Sequence, residues 1–361
     1  MPHMTLRMPV VWSDSSLLHQ PRHEIWLGVA LTGTEVMERA ALIRDAASDA
    51  GARLVEAVRH DDHVLRQVHD GGLLDFLSHG YAEWVAQGFP DDPGQNRIVP
   101  YVFPTPGMLQ GLPMRRPYGI HGRAGRYAYD TMTLVGPGTW DAARGAVDAA
   151  LTAVDLVSAG EPLAYGICRP PGHHVTRDAY GGSCYLNNAG VAAQALRGAG
   201  YDRVAVVDID AHHGNGTQML FYDRGDVFYG SLHIDPGAGW FPHYLGYADE
   251  RGVGAGEGAN RNVPLAPEAG DGVWLAALGR ILDEVSGFQP QAVVVSLGVD
   301  AAADDPESPL RVTHDGYRAG GAAIASLGVP VVAVQEGGYH LPTLGSLVVA
   351  TLEGLQNGSG P

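Results

Sequence analysis

Cysteine is almost absent from this 361-residue sequence, which contains only Cys168 and Cys184. Two cysteines provide no disulfide framework, so the composition favours a reducing compartment over secretion. Long hydrophobic runs are missing too. Apolar segments such as 292–295 are of strand length, whereas a membrane-spanning helix needs about 20 residues. We therefore expect a cytoplasmic protein that has no membrane among its partners.

Positively charged residues are scarce as well. Lys and Arg total 23 against 40 Asp and Glu, which gives a formal net charge of −17. Proteins that bind nucleic acids carry basic patches or stripes. No Lys- or Arg-rich run occurs here, so we expect no DNA or RNA partner. The excess of carboxylates favours a role in solubility over a role in attracting a cationic substrate, and both interpretations stay open at this point.

The second half of the sequence contains a set of short, β-branched apolar segments. Residues 204–209, 292–297 and 329–334 each follow a Gly, Pro or polar break, and helix-like stretches separate them. Short continuous apolar strands that alternate with helices indicate a parallel sheet covered on both faces. No segment resembles a linker, so we expect one α/β domain over residues 1–361, with a Gly- and Pro-rich irregular excursion at 89–125.

Chemically active side chains follow each of these three segments. They are Asp208 at the end of the first segment with Asp210 and His212 just beyond it, Asp300 after the second, and Tyr339 after the third. In open α/β sheets ligands bind beyond the carboxyl ends of the strands, so these side chains should share one rim. Asp210 and His212 point to the same side of an extended chain. With Asp300 they form a set that suits a catalytic divalent metal, zinc foremost. Taken singly, each residue could instead cap a loop, but turns seldom need that density of ligands.

Two adjacent imidazoles, His173 and His174, lie upstream in the segment Arg-Pro-Pro-Gly-His-His. The two prolines and Gly172 restrict this turn and would hold the rings in place. The pair could bind metal or be ordinary polar loop residues, but the strand-end residues already supply a catalytic ligand set. We therefore favour proton transfer, in which a neutral imidazole accepts a proton from a metal-activated water.

At this level of detail the sequence resembles a known family. The motifs that carry the resemblance occur in the family order over about half of the chain: Arg-Pro-Pro-Gly-His-His (169–174), Asp-Ile-Asp-Ala-His-His-Gly-Asn-Gly-Thr-Gln (208–218), Ser-Leu-His (231–233), Asn-Val-Pro-Leu (262–265), Ser-Leu-Gly-Val-Asp (296–300) and Glu-Gly-Gly-Tyr (336–339). They are similar to those of the histone deacetylase and acetylpolyamine amidohydrolase superfamily, in particular its class II-like branch with the bacterial acetylpolyamine amidohydrolases. The resemblance implies the arginase/deacetylase-like three-layer α/β fold, whose central parallel sheet of about eight strands carries helices on both faces. This agrees with the independent strand pattern.

The resemblance also implies a set of bound metal ions. Matched position by position, the family pattern makes Asp210, His212 and Asp300 the zinc ligands, with iron(II) an alternative metal in the cell. A structural potassium ion would lie close to the zinc. Its ligands would be side-chain or main-chain oxygens of Asp208, Asp210, His212, Ser231 and Leu232.

The same matching gives roles to the histidine pair and the tyrosine. His173 and His174 would stand beside the zinc-activated water, and His174 would act as the general base. Their side-chain partners would be Asp208 and Asn215, respectively. A carboxylate on one ring and an amide on the other should make the two histidines titrate differently. Tyr339, together with zinc, would polarise the scissile carbonyl and stabilise the oxyanion.

In the substrate-binding region the sequence departs from the family. Gly182 is followed by Ser183, where many relatives have a Phe or Tyr that walls the substrate tunnel. His243 or Tyr244 could supply a ring on the opposite side. Glu307 matches a glutamate that selects a cationic substrate chain in a polyamine-selective relative, and an exposed loop glutamate is an equally open interpretation.

We therefore expect an amidohydrolase that removes acetyl groups from cationic amines, acetylpolyamines foremost, so that its partner is a small acetylated amine. A broad acyl-lysine protein deacetylase, or a deacetylase of a biosynthetic small molecule, is the alternative. A non-catalytic binding protein on the same fold is disfavoured because every expected ligand and catalytic residue is present. Apolar side chains within 89–125 favour a homodimer formed through that excursion.

Overall fold

The computed structural model describes residues 5–358 as a series of strands and helices that largely alternate. The strands are β1 (Pro9–Trp12), β2 (Glu24–Trp26), β3 (Val29–Leu31), β4 (Arg53–Glu56), β5 (Leu163–Gly166), β6 (Val204–Asp208), β7 (Val227–Ile234), β8 (Asn260–Leu265), β9 (Ala292–Leu297) and β10 (Val331–Gln335). The helices are α1 (Glu38–Asp49), α2 (His63–Val68), α3 (Gly71–Ala86), α4 (Pro106–Leu109), α5 (Ile120–Tyr127), α6 (Thr139–Ser158), α7 (Asn188–Gly198), α8 (Asn215–Phe221), α9 (Asp271–Phe288), α10 (His314–Ala325) and α11 (Leu341–Gly358).

Eight of these strands form one sheet in the order β4-β1-β5-β10-β9-β6-β7-β8. Every neighbouring pair in it is parallel, whereas β2 and β3 form a separate antiparallel hairpin. Parallel neighbours need crossover connections, and most of the crossovers within the sheet contain helices. The predicted three-layer α/β fold with an eight-stranded parallel sheet is therefore confirmed.

The central strands bury side chains on both faces of the sheet, because successive residues of a strand point in opposite directions. Val293 and Val295 of β9 pack in a cluster with α1, α9, α10 and α11, whereas Val294 packs in a cluster with α6 and α7. All three side chains are fully buried. Double-sided burial explains why the central strands appear in the sequence as continuous apolar runs rather than as alternating patterns.

The third predicted strand begins and ends later than its apolar run. Its run is 329–334, whereas β10 spans Val331–Gln335. Pro330 has no N–H to donate to a neighbouring strand, although its carbonyl accepts the N–H of Val293 at 2.9 Å. The strand therefore extends one residue closer to the Glu-Gly-Gly-Tyr motif than the hydrophobic pattern indicates.

The excursion at 89–125 contains α4 and the start of α5. Several of its large apolar side chains face outward: Tyr101 is 75% exposed, Met108 63% and Leu112 71%. Met108 and Leu112 also line a surface cavity of about 370 Å³. The exposed apolar groups are thus concentrated in one segment of the surface, and the expected homodimer stays a prediction.

Two expectations from the sequence concern membrane insertion and the number of domains. None of the helices within residues 5–358 has the length and apolar character that crossing a membrane requires. Residues 1–4 and 359–361 lie outside the described range, and the expectation of a single domain over 1–361 stays a prediction.

Candidate active site

Adjacent strand ends form the candidate site. β10, β9 and β6 are neighbours in the sheet, and because they are parallel their carboxyl ends meet at one edge. The chain segments that leave this edge are 209–215, 298–305 and 336–340. They carry the motif residues that the sequence pattern selected.

Asp210, His212 and Asp300 converge at this edge. One ligand atom from each residue lies within 4.8 Å of the other two. The Nδ1 atom of His212 is 3.0 Å from Asp300 Oδ2 and 3.4 Å from Asp210 Oδ1. Both carboxylates are buried and His212 is nearly so. Two carboxylates and one imidazole form a donor set that suits zinc.

The charge of this cluster also favours a cation. Within residues 5–358 the ion-pair partners of Asp210 and Asp300 are histidines, with no lysine or arginine among them. Burial, reinforced by the neighbouring charge of Asp210, raises the pKa of Asp300 to about 7. Backbone N–H groups of Ala211 and Gly337 donate one hydrogen bond each to the two carboxylates. A divalent cation would offset the remaining repulsion, so the residues fit zinc in charge as well as in donor type.

A second cluster of potential ligands consists of His173, Cys184 and Glu336. Glu336 Oε2 accepts hydrogen bonds from the N–H groups of Gly172 and His173, at 2.7 and 3.1 Å. Burial raises the pKa of the Cys184 thiol well above its ordinary value, so this sulfur stays protonated. We therefore interpret Glu336 as the anchor of the turn that carries the histidine pair rather than as a metal ligand.

His173 and His174 lie beside the metal-ligand cluster, with their ring centroids 4.0 Å apart. His173 Nδ1 is 3.1 Å from Asp208 Oδ2, and His173 Nε2 is 3.7 Å from Asp210 Oδ1. His174 Nδ1 is 2.8 Å from Asn215 Oδ1. Because an amide oxygen can only accept, Nδ1 of His174 donates to Asn215, and Nε2 of that ring is left as an acceptor.

These partners separate the proton affinities of the two rings. Burial alone would lower the pKa of His173, but the carboxylates of Asp210 and Asp208 outweigh it and raise the pKa to about 10. Burial and the positive charge of His173 lower the pKa of His174 well below its ordinary value. The geometry therefore holds one imidazolium and one neutral imidazole side by side.

Close backbone packing holds the histidine pair in place. The first turn of α8 lies directly against the chain at 174–175, and a Cβ added at Gly216 would overlap the main chain of His174 and Val175. Thr217 N–H donates to the carbonyl of His173 at 3.0 Å. Tyr129 O–H donates to the carbonyl of His174 at 2.8 Å. Gly216, the second glycine of the Gly-Asn-Gly motif, is thus needed for this close approach.

Tyr339 completes the polar part of the site. Arg39 donates hydrogen bonds to the carbonyls of Glu336 and Gly338, at 2.6 Å each. The guanidinium of Arg39 also lies 4.6 Å from the centroid of the Tyr339 ring. Burial raises the pKa of Tyr339 well above its ordinary value, so the phenol remains a hydrogen-bond donor.

His174, His212 and Tyr339 face a pocket with a cavity volume of about 90 Å³. Its other lining residues are Glu24, Thr34, Met132, Gly182, Ser183, Phe241 and Glu307. Gly182 and Ser183 take left-handed backbone conformations, with φ of 58° and 60°. A Cβ at Gly182 would overlap the ring of His174. This turn therefore brings the main chain against the ring of His174, and Ser183 lies in the pocket wall beside it.

Phe241 lines the described pocket, whereas His243 and Tyr244 of the same loop are not among its lining residues. A substrate-binding role for His243 or Tyr244 stays a prediction. The Phe241 ring meets the ring of His174 edge-on, with centroids 4.8 Å apart. Tyr244 is 88% exposed, because the chain turns after Pro242 and His243 takes a φ of 62°. The aromatic residues of this loop indicate correctly that it reaches the pocket, but the turn after Pro242 determines that Phe241 faces inward and Tyr244 outward.

Glu24, like Thr34 and Met132, lines the pocket but was not selected from the sequence. It lies at the start of β2, far from every motif, and faces the pocket together with Glu307. Thr34 Oγ1 donates to Glu307 Oε1 at 2.7 Å. Burial, followed by the charges of Glu307 and Asp130, raises the pKa of Glu24 to about 7. The ion pairs formed among residues 5–358 do not include Glu24 or Glu307, so this wall of the pocket is acidic and unneutralised.

Of the residues expected around potassium, Asp210 and His212 also belong to the cluster with Asp300. Asp208 of β6 and Ser231 of β7 are direct neighbours in the sheet register. Ser231 Oγ is 2.8 Å from His233 Nδ1, and Asp208 Oδ1 accepts the N–H of Asp210 at 3.2 Å. Leu232 is buried beside them. Potassium binding by this group stays a prediction.

Comparison with known proteins gives consistent matches along the chain. Residues 33–355 match the histone deacetylase domain. The acetylpolyamine amidohydrolase of Mycoplana ramosa is 40% identical over 349 residues, which cover 96% of this chain and 99% of that protein. Acetylpolyamine amidohydrolase 1 of Pseudomonas aeruginosa is 40% identical over 348 residues, with coverage of 96% and 98%. A crystal structure of acetylpolyamine aminohydrolase from Burkholderia pseudomallei matches with a TM-score of 0.91 and 38% identity, and covers 98% of this chain and 100% of that chain. The resemblance inferred from the motifs is confirmed.

We predict that Asp300→Asn weakens zinc binding. The variant keeps the shape of the side chain and removes one anionic ligand. Because even the loss of an outer partner of a metal ligand lowers affinity about 10- to 100-fold, a loss of about 100-fold or more is expected. Zinc per chain after dialysis, and the zinc-dependent rise in melting temperature of the metal-free protein, measure the effect. Asp283→Asn, an exposed position on α9, is the control. Equal zinc binding by wild type and Asp300→Asn would contradict the ligand set.

Proposed function

The chain belongs to the histone deacetylase family, and from that premise we propose that this deacetylase hydrolyses the N-acetyl amide of small cationic amines, acetylated polyamines foremost. The observation that carries the choice of substrate is the acidic pocket wall. Glu24 and Glu307 face the same small pocket as His174 and Tyr339 and have no cationic partner among the described residues. An ammonium group on the substrate would neutralise this wall through charge-assisted hydrogen bonds.

Enzymes of this family are generally zinc-dependent, and we propose the same for this chain. Asp210, His212 and Asp300 would hold the ion. When bound, zinc supplies a Lewis acid that polarises the acyl carbonyl and lowers the pKa of water. Iron(II) is an alternative in the same donor set. Potassium is proposed as a structural ion held by Asp208, Asp210, His212, Ser231 and Leu232.

In the proposed reaction a water molecule attacks the acyl carbon, the C–N bond breaks, and acetate and a free amine are released. Nε2 of His174 accepts a proton from the water as the O–C bond forms, because this ring is neutral. Tyr339 O–H donates a hydrogen bond to the acyl oxygen as its negative charge develops. The imidazolium of His173, hydrogen-bonded to Asp208, would add positive charge near the developing negative charge on the acyl oxygen. The proton then passes from His174 to the nitrogen of the departing amine.

The alternative substrate is the acetyl-lysine side chain of a protein. Its amide and alkyl chain would fit the same catalytic groups, but in a peptide the lysine Cα carries neutral amides instead of a second ammonium. The negative charge shared by Glu24 and Glu307 would then have no cationic partner beside a neutral backbone, which is unfavourable. A biosynthetic small molecule with an amino group would satisfy the same wall, and Ser183, which has no ring, leaves room for a broader amine.

We propose in addition that a second copy of the chain covers the apolar side chains of the excursion at 89–125. Tyr101, Met108 and Leu112 are exposed there, and closed two-fold pairing is the commonest way for a soluble protein to bury such a patch. A second subunit at this position would bury the exposed apolar side chains of 89–125 and would not alter the proposed catalytic groups.

The first test of the proposed function is turnover of a panel by the zinc-loaded protein, with Tyr339→Phe as the key variant. We expect N-acetylputrescine and N-acetylspermidine to be better substrates than an acetyl-lysine peptide. Removing one oxyanion donor should lower kcat by about 10²- to 10³-fold and change KM little. Tyr201→Phe, outside the pocket, should behave as wild type. Full kcat in Tyr339→Phe would exclude the oxyanion role, and no turnover of any acetylated amine by wild type would refute the proposed function.

A second prediction concerns the acidic wall. Glu307→Leu should raise KM for N-acetylputrescine about tenfold, the effect of losing a hydrogen bond to a charged group. KM for N-butylacetamide, which has the same chain without the ammonium, should stay unchanged. Steady-state kinetics on both substrates measure the difference, with Glu257→Leu on the exposed surface as control. Equal changes for the two substrates would show that Glu307 does not read charge.

A third prediction concerns the excursion. Wild-type protein should elute in gel filtration with light scattering at twice the mass of the chain. Combined Met108→Glu and Leu112→Glu substitutions place charge in the apolar patch and should yield monomers. Val273→Glu, an exposed apolar position on α9, should leave the oligomer intact. A monomeric wild-type protein at micromolar concentration would rule out the homodimer.

A further inference from the structure

The carboxylate of Asp305 joins two loops of the pocket wall. Its Oδ2 atom accepts the N–H of Tyr339 at 2.7 Å and the N–H of His340 at 3.2 Å. Its Oδ1 atom accepts the N–H of Glu307 at 3.0 Å. One side chain thus holds the backbone of the phenol-bearing residue and the backbone of the carboxylate that faces the pocket.

On the tyrosine side, both polar atoms of one peptide unit are occupied. The carbonyl of Gly338 accepts from Arg39 at 2.6 Å, and the N–H of Tyr339, in the same peptide unit, donates to Asp305. The guanidinium of Arg39 lies against the phenol ring as well. With the peptide held at both ends, the direction in which Tyr339 leaves the main chain is determined by these two side chains.

On the glutamate side, the backbone and the carboxylate are held separately. Asp305 accepts the N–H of Glu307, and Thr34 donates to the Glu307 carboxylate at 2.7 Å. The loop at 305–307 and the segment around Thr34 therefore fix the position of this negative charge relative to the pocket. Without the contact to Asp305, the loop could move while the contact to Thr34 remained.

The position specifically requires a carboxylate. Asp305 is 8% exposed, and its two oxygens accept three N–H groups. An asparagine has one accepting oxygen, so its NH₂ group would face an N–H donor on one side. A buried donor that loses its acceptor costs more than the net value of a hydrogen bond. The amide oxygen of Asn should turn toward the two N–H groups of Tyr339 and His340, which leaves the Glu307 side unpaired.

We propose that Asp305 is a positioning residue that sets the phenol of Tyr339 and the carboxylate of Glu307 at a fixed separation. It thereby matches the distance between the scissile amide and the distal ammonium of the substrate. The inference rests on the proposed function, since it assumes that Tyr339 stabilises the acyl oxygen and that Glu307 binds the ammonium. It adds that substrate length is selected through one buried carboxylate that touches neither group of the substrate.

The test compares Asp305→Ala and Asp305→Asn with wild type on N-acetylputrescine and N-butylacetamide, using the zinc-loaded full chain. Asp305→Ala removes both contacts. It should lower kcat at least about tenfold on both substrates and raise KM about tenfold for the charged substrate alone. Asp305→Asn should recover kcat, because the contact to Tyr339 is kept, and should retain the raised KM for N-acetylputrescine. Asp283→Asn, at an exposed position of α9, should match wild type.

Coupling provides a further readout that general loosening of the fold would not give. In the double variant Asp305→Asn with Glu307→Leu, KM for N-acetylputrescine should equal that of Glu307→Leu alone, because both changes act through the same carboxylate. The inhibition constant of the product 1,4-diaminobutane should follow the same pattern without depending on turnover.

The possible outcomes separate this inference from the proposed function. A charge-selective rise in KM in Asp305→Asn with kcat preserved supports the positioning role. If Asp305→Ala fails to fold, as judged by circular dichroism, Asp305→Asn decides the matter alone. An equal rise in KM for the charged and neutral substrates in Asp305→Asn, or no change in KM for either, overturns the role of Asp305 while leaving the deacetylase proposal intact. An inactive wild type would overturn both.

Discussion

Asp210 and Asp300 place two carboxylates side by side in the protein interior, and their mutual repulsion is the constraint around which the site is built. Isolated buried anions are strongly unfavourable. Here backbone N–H groups of Ala211 and Gly337 and the imidazole of His212 compensate part of the charge, and the rest calls for a cation. The parallel sheet makes this cluster possible, because only parallel neighbours bring three carboxyl-terminal strand ends to one edge. The same edge of the sheet also carries His173, His174 and Tyr339, which the proposed function places around the substrate.

The two histidines illustrate how a single neighbouring atom assigns chemical roles. Both rings are buried and nearly in contact, so two positive charges could not coexist there without cost. Asp208 stabilises the charge on His173, whereas Asn215 offers only a neutral acceptor to His174. Burial and the charge of His173 then lower the pKa of His174. One ring is consequently able to accept a proton at neutral pH while the other supplies fixed positive charge.

The fold and the polar centre of the site were predictable because they depend on local patterns and on one rule of topology. Buried strands appear as apolar runs, and ligands follow their carboxyl ends, so Asp210 and Asp300 could be placed before any coordinates. Phe241, Glu24 and Asp305 could not, because each reaches the pocket through the conformation of a loop. The turn after Pro242 selects Phe241 over its aromatic neighbour. Glu24 is brought in by a hairpin with no sequence signal, and the value of Asp305 lies in backbone donors that no sequence displays.

In the proposed function, Tyr339 and His174 act on the acyl group, whereas Glu24 and Glu307 face the amine and determine which amine binds. Every acetyl amide presents the same acyl group to Tyr339 and His174, so these residues cannot distinguish one amine from another. Each methylene of the amine contributes about 0.8 kcal/mol on burial, whereas a hydrogen bond to a charged group contributes about 1.5–3 kcal/mol. A single well-placed ammonium therefore contributes as much as about two to four methylenes of chain length. Under the proposed function, selectivity would depend on the distance from Glu307 to the scissile carbonyl, while Ser183 would set the width of the pocket and not its length.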